Sequence, residues 1–446
     1  MTNLLRAAAL SALVIASSAP AAPPQGSGTA WAIVADLTTE IGARLDGSPR
    51  EAAAREWAVA RLTALGFKNV QIEPFTIPGF VRGTESARLT GPYPHNLHIT
   101  ALGSSVPTPK GGLTAELVYF ASLAALKAAP EGSLTGKIAF IDNQMLPNQD
   151  GSGYGAYGNA RRQGPAVAAS KGAVGAVIRS AGTDHNRDPH TGGTNFPAGS
   201  RAIPVGAVSA PDADLIARIA ATGKPITINL VLESHPQANL PSGNVIADLP
   251  GRDPSLPPIL VACHLDSWDL GTGAIDDGAG CAIVTAAALR VQDSRPLRTI
   301  RVLWAGSEEL GGFGGIAYAK AHAGEPHALA MESDFGADRV WRVDLNFAPA
   351  NKPLGEAVSA ALAPMGIVTG SSKAGGGTDV APIIAAQKLA VIDLRQDGTR
   401  YFDLHHTPDD TLDKIDPAQL DQSVATWAAV LAVVANAPGP ISGLGE

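Results

Sequence analysis

Five short stretches of the chain carry side chains able to bind a divalent metal and move protons. They are His264-Leu265-Asp266, Asp276-Asp277-Gly278, Glu308-Glu309, Glu332-Ser333-Asp334 and His405-His406-Thr407-Pro408-Asp409-Asp410-Thr411. Together they offer imidazoles and carboxylates, a ligand set suited to Zn²⁺ where sulfur is scarce. Taken singly, each has a plain alternative. A histidine at a strand end is often a satisfied structural residue, and paired acids are often a solvated turn. Their conjunction points to a cation, because carboxylates crowded beside apolar strands are costly unless positive charge neutralises them. With only two cysteines, Cys263 and Cys281, among 446 residues, neither a disulfide framework nor a Cys-rich zinc finger is available.

The elements that must position these residues read as an alternation of strands and helices. From Asn244 onward, apolar strands at 259–263, 299–304, 328–332 and 389–394 alternate with helices after Gly278, at 316–321, at 354–364 and at 418–434. Continuous apolar strands between helices are the product of a parallel sheet covered on both faces. Such sheets bind ligands beyond the carboxyl ends of their strands, where the acidic and histidine motifs stand. The expected fold class is α/β, a mostly parallel mixed central sheet with helices on both faces. Ahead of it, 31–65 reads as two amphipathic helices and 70–77 as a strand. From Thr114 to Glu233 the texture is short strands (115–120, 137–142, 174–178, 202–208, 226–232) with one helix at 165–171. The glycine-rich stretch 150–164 lacks the strand, helix and Gly-Lys-Ser/Thr ending of a phosphate loop and reads as a mobile loop. The expected organisation is residues 28–112 as the first part of a catalytic domain, 113–236 as a strand-rich insert, and 243–438 as the main catalytic domain.

Composition narrows the function. Hydrophobic residues make up 45% and charged residues 17%, which excludes a disordered chain. Lys and Arg number 33 against 41 Asp and Glu, a net charge of -8, so the basic footprint of a nucleic-acid binder is missing. Arg6, an apolar run over 7–16 and the small residues Ala19-Pro20-Ala21-Ala22 form the layout of a signal peptide covering 1–22. The run is shorter than the roughly 20 apolar residues that span a bilayer. The expected location is secreted or periplasmic, with no stable membrane insertion.

His264-x-Asp266, Asp276-Asp277-Gly278, Glu308-Glu309, Asp334 and His406-Thr-x-x-Asp-Thr411 resemble the five-ligand pattern of the M28 family of dizinc metallopeptidases. Cys263 to Gly271, Ala274 to Gly278, Met331-Glu-Ser-Asp334 and Gly376-Gly-Thr-Asp379 resemble the carboxypeptidase Q branch of that family. The strand-rich insert is similar to the family's protease-associated domain. M20-type peptidases use a comparable ligand order but carry their extra domain between the last two ligands, whereas here the insert precedes His264.

The resemblance implies two zinc ions per chain, bridged by Asp276. One would also be held by His264 and Asp334, the other by Glu309 and His406. It implies Glu308 as general base and acid toward a metal-bridged hydroxide, Asp266 as the acceptor that orients His264 through its second ring nitrogen, and a cis peptide after Asp276. His406 is chosen over His405, and Asp334 over Glu332, by the family spacing alone. His405, Thr378 and Asp379 are then read as substrate-pocket residues, a plain turn being the other reading for the last two. Cys263 and Cys281 read as buried apolar residues, a disulfide being the alternative. His185 to Thr191 reads as a solvated loop, with a metal site and a lid over the cleft as other readings. The implied activity is an exported zinc exopeptidase of dipeptides or short peptides with an unblocked amino end, aminopeptidase and carboxypeptidase polarity both standing open, and a homodimer by resemblance. The rivals are a single-zinc glutaminyl-cyclase-like acyltransferase and a non-catalytic peptide-binding or receptor homologue.

Overall fold

A computed structural model describes residues 28–443, so the segment read as a signal peptide lies outside the described residues. An eight-stranded mixed sheet forms the frame of the catalytic body. Its strands run in the order Lys68–Val81, His235–Leu249, Ile300–Ala305, Ile259–His264, Leu329–Glu332, Ala390–Gln396, Val340–Asn346 and Val368–Lys373. The four central strands, Ile300–Ala305, Ile259–His264, Leu329–Glu332 and Ala390–Gln396, are mutually parallel. They read as unbroken apolar runs because both faces are covered. Ile259, Val261 and Cys263 point into one core with the helices Thr29–Asp36, Pro49–Ala64, Ala279–Gln292 and Pro417–Val434. Leu260 and Ala262 point the other way, against Tyr318 of Phe313–Ala321 and Ile383 of Ala381–Gln387. The fold class is thus α/β, with helices on both faces of a mixed sheet.

Local chemistry sets the helix ends. The Ser48 hydroxyl accepts from Glu51 N–H ahead of Pro49, and the Asp416 carboxylate accepts from Ala418 N–H ahead of Pro417. Both combine an N-cap oxygen with a proline at the first helical position.

A second eight-stranded sheet forms the insert. Leu113–Phe120, Ile138–Ile141, Gly175–Arg179 and Val205–Val208 are its parallel centre, again with a core on each face. The sheet also takes Glu85–Gly91, His95–Leu97 and Ile99–Ala101 from before residue 113. The chain enters and leaves the insert along one long antiparallel ribbon, in which Ile72 faces Val245 and Val81 faces His235.

Two readings need correction. The stretch 150–164 is not a mobile loop: it forms the helices Gly153–Tyr157 and Asn159–Arg162. Tertiary contacts override the glycines there. Tyr154 stacks on Phe402 of the catalytic body at 4.6 Å between ring centres, and Arg161 is buried. Cys263 and Cys281 are buried as expected, but they are bonded to each other, which ties the strand before His264 to the helix after Asp277.

Candidate metal centre

His264, Glu308-Glu309 and Asp334 stand at or just past the carboxyl ends of parallel strands, Asp276 lies in the helical turn Ala274–Gly278 and His406 follows the short helix Tyr401–Leu404, and the five expected ligands converge beyond the same edge of the sheet. His264 ends its strand. Its Nε2 lies 3.1 Å from Asp276 Oδ1 and 3.4 Å from Asp334 Oδ1. On the other side, His406 Nε2 lies 3.3 Å from Asp276 Oδ2 and 2.9 Å from Glu309 Oε2. Asp276 therefore gives one oxygen to each histidine–carboxylate pair.

Electrostatics mark where positive charge is wanted. Burial alone would lower the basicity of both imidazoles. The facing carboxylates, Asp334 for His264 and Glu309 for His406, raise them well above the ordinary histidine value instead. Burial alone would raise Asp276, yet hydrogen bonds from His264 and His406 hold it well below the usual carboxylate range. Glu309 Oε1 is buried with no hydrogen-bond partner. A tetrahedral ion with bonds of about 2.0–2.1 Å has ligand–ligand edges of about 3.4 Å. Three of the four ligand separations, 3.1–3.4 Å, are close to that edge and the fourth, His406 to Glu309 at 2.9 Å, is shorter; with the donor types present, the set fits zinc.

The neighbouring residues hold this set in place. Asp266 is fully buried, and its two carboxylate oxygens accept the backbone N–H groups of Glu308 and Glu309, each at 3.1 Å. Its relation to His264 differs from the expected one: the ring Nδ1 donates to the Asp266 backbone carbonyl at 3.1 Å, while the carboxylate stands 3.8 Å away. Asp277 follows Asp276 through a cis peptide and accepts from His264 N–H and Gly280 N–H. The Asp410 carboxylate accepts from Ile275 N–H and Asp276 N–H; burial, then the Asp276 charge, pushes it up to about 7. Arg44, fully buried, donates to the carbonyls of Leu265, Thr272 and Gly273. No local motif announces Arg44, since its partners lie more than 200 residues away in sequence.

A cavity of about 460 Å³ opens over the cluster. Its floor is Asp276, Glu308, Glu309, Asp334 and His406, and Thr378 and His405 line it as well. Burial first, then the charges of Asp334, Glu309 and Asp266, hold the Glu308 carboxyl well above the usual range. His405 stacks on His406 at 3.4 Å, with its Nε2 3.7 Å from Asp276 Oδ2, and burial, then the His406 charge, push its basicity well below the ordinary histidine value. Asp379 is different: it is fully buried, lines no part of this cavity, and has no hydrogen-bond partner on either oxygen. Its position two residues after a glycine run looked like a pocket wall, but the chain there turns inward toward Glu332, whose Oε2 accepts Asp379 N–H.

The facing wall comes from the insert, as Tyr154, Arg161, Arg162 and Asn195. These were missed because they sit in the stretch read as mobile and in a loop without a motif. The 185–191 loop divides. His185 is exposed and bonds Asp214, whereas His190 is fully buried against the His405 carbonyl, so the solvated reading fails for His190.

Residues 244–431 match the family model described as Peptidase family M28, and residues 113–216 match that of the PA domain. Carboxypeptidase Q of Bos taurus is 35% identical over 408 residues, covering 90% of this chain and 84% of the relative. The Homo sapiens carboxypeptidase Q is 34% identical over 405 residues, with the same coverage of 90% and 84%. Among solved structures, a peptidase M28 precursor from Shewanella amazonensis SB2B shares 46% identity at a TM-score of 0.91, covering 95% of this chain and 96% of that one. A zinc aminopeptidase from Bacillus subtilis shares the fold at a TM-score of 0.65 and 20% identity, over 92% and 95% of the two chains. The sheet with its crevice of histidines and acids, the inserted PA domain and the full-length similarity agree, and the chain belongs to peptidase family M28, a family of metallopeptidases.

Proposed function

We propose that the chain is an exported zinc exopeptidase that hydrolyses dipeptides or other short peptides, acting as a homodimer. The observation that carries this reading is Asp276, which turns one carboxylate oxygen to His264 and the other to His406, while His264 also faces Asp334 and His406 also faces Glu309. Those residues would hold two zinc ions. Zinc so held supplies a Lewis acid for the scissile carbonyl and lowers the pKa of water. Export rests on the layout of residues 1–22. No helix of the described residues is long and apolar enough to cross a membrane.

Glu308 is the proton carrier. It faces the cavity on a turn held by Asp266, and burial among acids lifts its pKa toward the working range of a group that must both accept and return a proton. It takes a proton from the attacking water as the C–O bond forms and delivers it to the amine nitrogen as the C–N bond breaks. Thr378 and His405 contact the substrate from the catalytic side. Across the cavity, Arg162 and Asn195 present donors suited to a free carboxylate end, which accords with the name carboxypeptidase Q borne by the relatives.

The test is cleavage of free, amino-blocked and carboxyl-blocked dipeptides by the zinc-loaded chain, beside its Glu308→Gln variant. The expected result is cleavage of free dipeptides, loss on carboxyl blocking, and a fall of at least about 100-fold for the variant. A variant that keeps both its zinc and its activity would sink the reading.

A further inference from the structure

We propose that the PA insert is a working part of the metal centre: His190 and Thr191 position His406, so one metal-binding pole depends on the insert and the other does not. The inference rests on the five-ligand reading above. His406 has a φ of 64°, in the left-handed region that few residues other than glycine occupy, so its backbone needs outside support. Thr191 supplies it twice. Its N–H donates to the His406 carbonyl at 3.0 Å, and its carbonyl stands 3.3 Å from His406 Nδ1. Arg161 Nη1 stands at the same 3.3 Å from Nδ1 and competes as a donor; it is a proton on Nδ1, directed at the Thr191 carbonyl, that leaves the Nε2 lone pair facing Glu309 and Asp276, the tautomer a metal ligand requires.

The surrounding contacts lock the clamp. His190 Nδ1 donates to the His405 carbonyl at 2.7 Å, and its Nε2 is held by Asp184 at 2.6 Å. Arg161 donates to the Thr191 carbonyl at 3.2 Å, and the Thr191 hydroxyl donates to the Ala101 carbonyl at 2.9 Å. One turn earlier, Thr183 N–H donates to the Phe402 carbonyl and its hydroxyl to Asp403. On one side of these contacts stand His190, Asp184, Arg161, Thr191, Ala101 and Thr183 of the insert or its sheet, and on the other the His405, Phe402 and Asp403 groups of the catalytic body. The His264 pole is built otherwise. Its ring Nδ1 is held by the Asp266 carbonyl and its backbone N–H by Asp277, both within the catalytic body.

The experiment is zinc titration of the metal-free, full-length chain against a chromophoric chelator, for wild type, His190→Ala, His190→Asn, Thr183→Ala and the exposed control Arg218→Ala, with circular dichroism of each metal-free variant. Wild type and the control should bind two zinc ions. His190→Ala should weaken one site by about 10–100-fold, the range seen when a group supporting a metal ligand is removed, and leave the other within about twofold. His190→Asn, whose amide can still donate to the His405 carbonyl, should restore most of the loss. Equal weakening of both sites, or no change in either, overturns the inference. Should His190→Ala fail to fold, Thr183→Ala must still weaken one site alone, and an unchanged Thr183→Ala overturns it. A wild-type chain that binds a single zinc overturns the five-ligand reading itself, and this inference with it.

Discussion

Asp266 offers the sharpest perturbation of the proposed chemistry, because its carboxylate lies outside the cavity lining and 3.8 Å from the His264 ring, yet holds both Glu308 and Glu309 by their backbone N–H groups at 3.1 Å. In Asp266→Asn the side chain keeps its volume but has one acceptor oxygen, and its amide turns two hydrogens toward an N–H that also donates. One hydrogen bond to a charged acceptor is lost and a buried donor is left unsatisfied, a cost of about 1.5–3 kcal/mol. If that cost falls on the placement of Glu308, the rate drops by about 10–150-fold. The assay is kcat and KM on a free dipeptide at saturating zinc, with the zinc content counted. A fall in kcat with KM nearly unchanged and the metal retained is the expected outcome. Had Asp266 instead oriented the His264 ring, zinc affinity would fall while kcat at saturating zinc held. That result, or activity within twofold of wild type, refutes the reasoning.

Two further outcomes test the surroundings of the site. Burial, then the charge of Asp334, pushes Glu332 up to about 8, and its Oε1 is buried without a partner. A carboxyl raised in the folded state stabilises the fold below its unfolded pKa and loses that contribution as pH rises through the folded value. The metal-free chain should therefore lose thermal stability between about pH 4.5 and about pH 8, the unfolded and folded values, and Glu332→Gln should flatten the slope; a parallel slope for the variant counts against it. The Cys263–Cys281 bond closes a loop with a sequence separation of 18, so Cys263→Ser should cost about 3 kcal/mol in denaturant unfolding. Two titratable thiols per chain in unreduced, denatured protein would show that the bond is not formed.

The catalytic body was legible where burial on both faces forces continuous apolar strands, as at Ile259–His264 and Ile300–Ala305. It was illegible where strands are polar or broken by proline. His235–Leu249 carries Pro236 and Pro241 and is exposed over its first half, and the edge strand Val368–Lys373 is almost wholly exposed. The acids and histidines that gather around Asp276 stood out by residue type and clustering, and His264, Glu309 and Asp334 also by their place at or just past a strand end. What supports them did not. Arg44 reaches the loop at Leu265 to Gly273, and Thr191 reaches His406, across more than 200 residues each, and no spacing along the chain encodes such contacts. Arg161 and Tyr154 were hidden by glycines whose flexibility is overridden once Tyr154 packs on Phe402. The Asp266 carboxylate was expected on the His264 ring, but the short turn gives that place to its own backbone carbonyl.

The central claim is a pair of metal ions bridged by Asp276, and anomalous diffraction at the zinc edge from crystals of the zinc-loaded chain tests it most directly. The account predicts two peaks at full occupancy, one against His264 and Asp334, the other against Glu309 and His406, with Asp276 between them. A single peak at saturating zinc, or a pair held by other side chains, would contradict it.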